Sequence, residues 1–159
     1  IGIEISNPGH QFKYKKFSKK QIVSILKLSK FLIKKYKIHP KNILGHSDIS
    51  PERKKDPGEK FPWKYLAQNK VGIWHSLSDQ VLKKNRGIKI NKIDKKQFFN
   101  NLVKIGYSKK SFNHFDEGKY LIFLVKAFQR RYRQELISGK IDKECLLISK
   151  NLINKNKKF

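Results

Sequence analysis

The sequence predicts an α/β (α+β) fold, helices flanking a sheet, followed by a small three-helix domain. Two short apolar segments, Ile1-Gly2-Ile3-Glu4-Ile5 and Ile43-Leu44-Gly45-His46, read as buried strands. A long segment of helical periodicity lies between them. Three further helical patterns follow a polar stretch at 84–92, where composition shifts.

Taken in order, the opening strand ends at the turn signal Asn7-Pro8-Gly9. Ser18 with Gln21 forms a capping box, in which each side chain satisfies a backbone N–H of the other's residue. Behind it Ile22, Ile25, Leu26, Leu32, Ile33 and Tyr36 recur at helical spacing. This helix should stop before His39-Pro40, because the residue before proline avoids the helical region. Residues 47–60 carry Pro51, Pro57, Gly58 and many charges and read as a loop. Phe61-Pro62-Trp63 opens another helix, with proline suited to its first turn. Beyond the linker, Asp94 with Gln97 is expected to cap a helix bearing Phe98, Phe99, Leu102 and Val103. A second helix carries Leu121, Leu124, Val125, Phe128 and Tyr132. A third starts at Asp142 and carries Leu146, Leu147 and Leu152, and Asn154 to Phe159 form a polar, frayed tail.

A chain of 159 residues holds one domain, or an incomplete domain and a small one. With 38% hydrophobic residues, 11 Phe, 6 Tyr and 2 Trp, it has the material for a packed core. No apolar run approaches the roughly 20 residues that span a bilayer, and no signal-peptide pattern opens the sequence. There is no Met, and the first residues already read as a strand. The expectation is that an N-terminal portion, with any targeting signal, precedes residue 1. The division expected is 1–83, a linker at 84–92, helices over 93–153 and a tail at 154–159.

The net charge of +26 suggests a polyanionic partner, but the residue types weaken a nucleic-acid reading. Arginine, the fork that matches phosphates and base edges, stands at only five positions, 53, 86, 130, 131 and 133. Lysine is spread over nearly every segment beside many Asn and Ile, the usage of an AT-rich genome. A solvated lysine-rich surface is the favoured reading, with general attraction to anionic polymers as a secondary effect. Cys145 is the single cysteine, so no internal disulfide forms, and its apolar helix points to a buried structural thiol.

One stretch carries chemistry: Gly45-His46-Ser47-Asp48-Ile49-Ser50-Pro51-Glu52-Arg53-Lys54-Lys55-Asp56-Pro57-Gly58, then Phe61-Pro62-Trp63. A strand-end imidazole, His46, and a loop carboxylate, Asp56, suit a catalytic zinc, which takes three protein ligands and leaves a position for water. Lys54, two residues from Asp56, places an ammonium where an oxyanion could develop. Glu4 puts a carboxylate on an apolar strand, which has a reason if it acts as a general base. On residues alone, an ordinary His–Asp surface pair and a solvated edge carboxylate remain open.

The block Gly45 to Gly58, with Ile1-Gly2-Ile3-Glu4, resembles the zinc-dependent N-acetylmuramoyl-L-alanine amidases related to peptidoglycan-recognition proteins. The likeness covers roughly residues 1–75, and the longer block is highly specific. It implies that the sheet is a mixed central one and is N-terminally incomplete here. It implies zinc as cofactor, with His46 as second ligand and Asp56 as third. The first ligand, a His on an earlier strand, would lie upstream of residue 1. It also implies that Glu4 activates water and that Lys54 steadies the tetrahedral intermediate. Asp48, Pro51, Arg53, Pro57 and Trp63 match positions read as shaping the loop. His10 could touch substrate or be a solvated loop residue; His39, His75 and His114 have no motif around them.

Leu102-Val103-Lys104-Ile105-Gly106-Tyr107, Ala127-Phe128-Gln129-Arg130-Arg131-Tyr132-Arg133 and Gly139-Lys140-Ile141-Asp142 resemble a three-helix peptidoglycan-binding module. Phe128 and Tyr132 read as core, and solvated arginines are the plain alternative for 130, 131 and 133. The resemblance implies a monomer that hydrolyses the amide between N-acetylmuramic acid and L-alanine in peptidoglycan or muropeptides, with no specific nucleic-acid partner. The expected location is the periplasm or the outer-membrane face, with the cytoplasm as alternative. A non-catalytic peptidoglycan-binding protein of the same fold is the rival reading.

Overall fold

The computed structural model describes residues 1–107 and 117–156. In chain order the helices are α1 (Lys19–Tyr36), a 3-10 turn (Pro40–Asn42), α2 (His46–Ile49), α3 (Trp63–Gln68) and α4 (Asp79–Asn85). Then come α5 (Lys92–Ile105), α6 (Glu117–Tyr132) and α7 (Lys143–Asn156). His114 lies outside the described residues.

The expected α/β fold with a mixed central sheet is corrected, because the described residues contain helices and no strand. Ile43 and Gly45 do have extended backbone angles, φ −93° and −94°, but no neighbouring strand pairs with them. Periodicity reports the conformation of one segment. A sheet needs a second segment to take its N–H and C=O groups, and two such stretches alone do not form one. The opening residues also differ from the buried strand expected: Ile1 is 80% exposed and Ile3 38%.

α1 starts as its sequence requires. Ser18 accepts the Gln21 N–H at 3.2 Å, and the Gln21 side chain accepts the Ser18 N–H at 2.9 Å. Such a cap contributes about 1 kcal/mol. Lys37 closes the helix in a left-handed conformation, ahead of His39-Pro40. The buried face carries Ile22, Ile25 and Ser29, and the lysines face water. Ile22 and Ile25 meet Phe61, Trp63, Leu66 and Val71 in a first apolar core. Pro62 stands one residue earlier than expected, as the N-cap of α3.

The second core joins α5, α6 and α7 through Phe98, Leu102, Leu124, Val125, Phe128, Tyr132, Leu146, Ile148 and Leu152. Phe98 and Phe128 meet edge to face at 5.1 Å. Trp74 packs against both cores. The cap of α5 is Asn91, not the Asp94–Gln97 pair. Its side chain accepts the Asp94 N–H at 2.8 Å, because the helix begins at Lys92, two residues before Asp94. α7 begins one residue after the expected start, at Lys143, and Asp142 accepts the Cys145 N–H at 3.0 Å. α7 continues through the first residues of the expected tail, Asn154 to Asn156; residues 157–159 lie outside those described.

Arg131 and Arg133 are not solvated: they are 2% and 1% exposed. Arg133 pairs with Asp142 and lies 3.5 Å from Glu144, and Arg86 forks onto Glu144 at 2.8 and 2.7 Å. Arg86 falls in the polar stretch at 84–92 and ties it to α7. Cys145 is fully buried, and burial pushes its thiol up to about 12.

Candidate metal centre and its cavity

The site is built on two turns. The first is the entry to α2. Gly45 has room for no side chain there: a Cβ would lie 2.6 Å from Pro57 Cδ and 3.2 Å from Trp63. That close approach sets His46 beside the second turn, Asp56-Pro57-Gly58, which contains a cis Asp56-Pro57 bond. The Ser47 N–H donates to the Asp56 carbonyl at 3.0 Å, stitching the two turns together. As a result His46 Nδ1 and Asp56 Oδ2 stand 2.6 Å apart, with the two side chains 50% and 58% exposed. The two atoms are hydrogen-bonded to each other, and an imidazole nitrogen beside a carboxylate oxygen supplies donor types that zinc takes. Among the described residues no group of three or more His, Cys, Asp or Glu side chains is close enough to hold a metal alone.

A cavity of about 420 Å³ opens in front of this pair. Glu4, His10, His46 and Asp56 all line it, with an apolar floor that includes Ile25, Ile33 and Leu66. The structure thus brings together four of the five residues singled out from the sequence. Lys54, the fifth, is exposed on the loop leading to Asp56 and is not among the residues lining the cavity.

His10 is not simply solvated. Its Nε2 lies 3.0 Å from Glu59 Oε2, and its ring stacks on Tyr14 at 4.3 Å. Burial alone would raise the Glu59 carboxyl, but the hydrogen bond and charge of His10, with the charge of Arg130, hold it below the usual carboxylate range. Tyr14 had no motif to announce it. Its hydroxyl donates to the Pro57 carbonyl at 2.5 Å and accepts the Lys60 N–H at 3.0 Å. Lys60 Nζ also donates to the Tyr14 carbonyl at 2.5 Å. Burial pushes the Tyr14 hydroxyl up to about 12, so it stays protonated and keeps donating.

Residues 1–59 match the family described as N-acetylmuramoyl-L-alanine amidase. Over 160 aligned positions the chain is 34% identical to N-acetylmuramoyl-L-alanine amidase AmiD of Escherichia coli K12, covering 98% of this chain and 57% of that protein. The chain is similar in sequence to these amidases. It is 42% identical over 72 residues to 1,6-anhydro-N-acetylmuramyl-L-alanine amidase AmpD of Haemophilus influenzae, covering 44% of this chain and 37% of that one. It also superposes on AmiD from E. coli in complex with the substrate anhydro-N-acetylmuramic acid-L-Ala-D-gamma-Glu-L-Lys. There the TM-score is 0.75 at 30% identity, covering 91% of this chain and 55% of that one. The chain therefore spans a little over half the length of the AmiD it matches.

Proposed function

We propose that this protein is a zinc-dependent N-acetylmuramoyl-L-alanine amidase acting on peptidoglycan or its muropeptide fragments. The observation that carries the reading is the convergence of His46 and Asp56 at 2.6 Å on a cavity that Glu4 also lines. The substrate class rests on the relatives, one of which is an amidase in complex with an anhydromuramyl peptide.

His46 Nδ1 and Asp56 Oδ2 would hold the zinc, with a further ligand from outside the described residues. Bound there, zinc acidifies a water and polarises a carbonyl. Glu4 takes a proton from the attacking water and delivers it to the departing amine. The carbonyl attacked is that of the lactyl group joined to L-alanine. Lys54 turns its ammonium from the loop toward the oxyanion that forms. The tetrahedral species then expels the L-alanine nitrogen, so the sugar keeps a carboxylate and the stem peptide a free amine. His10, held by Glu59 and Tyr14, contributes a polar wall against which the peptide lies.

We assign α5–α7 the role of holding the enzyme to its polymer, which raises local substrate concentration. Placement in the periplasm or at the outer-membrane face follows from that role.

The deciding experiment incubates purified muropeptides with the protein and zinc and identifies products by mass spectrometry. Release of stem peptides beginning with L-alanine, abolished by a chelator, is expected. Intact muropeptides alongside retention on insoluble peptidoglycan would replace this reading with that of a non-catalytic binder. One observation favours that second reading: only two zinc-type ligands meet among the described residues.

A further inference from the structure

We propose that Tyr107 and Arg131, which lie at the end of α5 and in α6, are positioning residues for His46 and act through Asp48. The inference rests on the reading of His46 as a metal ligand. It gives the C-terminal helices a part in the catalytic centre itself, beyond tethering.

His46 is half exposed, and Asp56 is the side chain it meets, so packing does little to orient its ring. Its direction must be set by the backbone on either side. That backbone is held through Asp48, a side chain with both oxygens engaged. Oδ2 accepts the Gly45 N–H at 2.8 Å, and Gly45 is the residue just before His46. The same oxygen pairs with Arg131 Nη1, while Oδ1 accepts the Tyr107 hydroxyl at 2.7 Å. Arg131 reaches further along the segment: Nη2 donates to the Ile43 carbonyl at 2.7 Å, and the guanidinium lies 4.2 Å over the Trp63 ring. Trp63 is one of the two side chains that crowd the missing Cβ of Gly45. Among the described residues, and apart from His46–Asp56, the side-chain hydrogen bonds that reach the turn 43–48 from outside thus come from Tyr107 and Arg131.

The chemistry suits the task. Asp48, Tyr107 and Arg131 are 8%, 5% and 2% exposed, so their bonds are shielded from water and rigid. Burial pushes the Tyr107 hydroxyl well above its ordinary value, which keeps it a donor at any working pH. Groups that orient a metal ligand from one step back influence metal affinity by roughly 10- to 100-fold when removed.

Tyr107→Phe deletes one hydroxyl and leaves the ring in place. Three measurements on the protein are compared with those for Leu152→Ala, which opens the second core from α7. They are amide hydrogen exchange at Gly45 and Asp48 without metal, zinc affinity by competition with a chromophoric chelator, and the thermal midpoint. Tyr107→Phe should speed exchange at those two amides selectively and weaken zinc binding about tenfold. Leu152→Ala should lower the midpoint while leaving the Gly45 and Asp48 exchange and the zinc affinity unchanged. Unaltered exchange and affinity in Tyr107→Phe, or equal losses in the two variants, would overturn the proposal. Selective loss of protection in a protein that binds no zinc even unmutated would keep the brace, and would instead sink His46 as a ligand and this inference with it.

Discussion

The Tyr14 hydroxyl occupies the space that a side chain at position 58 would need: a Cβ built on Gly58 would lie 2.6 Å from it and 2.8 Å from His10 Cε1. Gly58 also has φ +80°, a left-handed backbone that disfavours other residues. Both restrictions apply at once. Tyr14 cannot swing aside, because its hydroxyl bridges the Pro57 carbonyl and the Lys60 N–H. Gly58→Ala should therefore cost on the order of 1–3 kcal/mol in urea unfolding. Combining it with Tyr14→Phe should recover only part, since the backbone strain persists. Full recovery would show that the close approach alone matters there.

Asp48 and Arg131 should behave as a buried ion pair whose halves are more costly apart than absent together. Burial would lower the Arg131 guanidinium, and the Asp48 carboxylate more than reverses this. Asp48→Ala leaves that cation buried without its counter-charge, a loss of about 3–5 kcal/mol. Asp48→Ala with Arg131→Met removes both charges, and its stability should lie well above the sum of the single losses. Additive urea midpoints across the four proteins would mean that the two side chains do not support each other.

How much of this could be read in advance depended on how local each feature is. The Ser18–Gln21 cap and the buried Cys145 are decided within a few residues, and each stands where the sequence placed it. The pairing of His46 with Asp56 was legible because the nine residues between them, with Pro51 inside and Pro57-Gly58 directly after, leave the loop few paths. The sheet was not legible, since an extended segment such as 43–45 becomes a strand only if another supplies its ladder. The burial of Arg131 was not legible for a similar reason. Its partner lies 83 positions earlier, and only the packing of α6 on α2 brings them together. Tyr14 carried no signal of its own, although the glycine at 58 marked a place where something passes close to the backbone.

Glu4 is exposed at the cavity, on a segment with no regular secondary structure, so its replacement should hardly touch stability. On the proposed mechanism it removes the proton that makes water a nucleophile. Glu4→Ala should reduce kcat for muropeptide cleavage at least 100-fold, the lower end of what a general base contributes. Zinc content and the urea midpoint should stay as in the parent. His46→Ala should differ by losing zinc as well as activity. If Glu4→Ala retained turnover, another group would have to take the proton.

His75 makes stability pH-dependent in a defined window. It is 6% exposed, and burial depresses its pKa to about 4, with the Tyr132 backbone opposing in part and Lys64 and Lys155 reinforcing the effect. The unfolded chain takes up a proton near pH 6.5, the ordinary histidine value. Between about pH 6.5 and 4 the unfolded state therefore binds the extra proton, and stability falls as pH falls. The folded protein keeps the full benefit of neutral His75 above this window and loses about 1–3 kcal/mol of it on crossing to the acid side. Glu59 and Asp142, both held below the usual carboxylate range, add losses at still lower pH, so the test must be differential. His75→Gln buries an amide that does not titrate. Its urea midpoint should be lower than the parent's at neutral pH but fall less steeply toward pH 5. Parallel slopes for the two proteins would mean that His75 is protonated as readily in the folded chain as in the unfolded one.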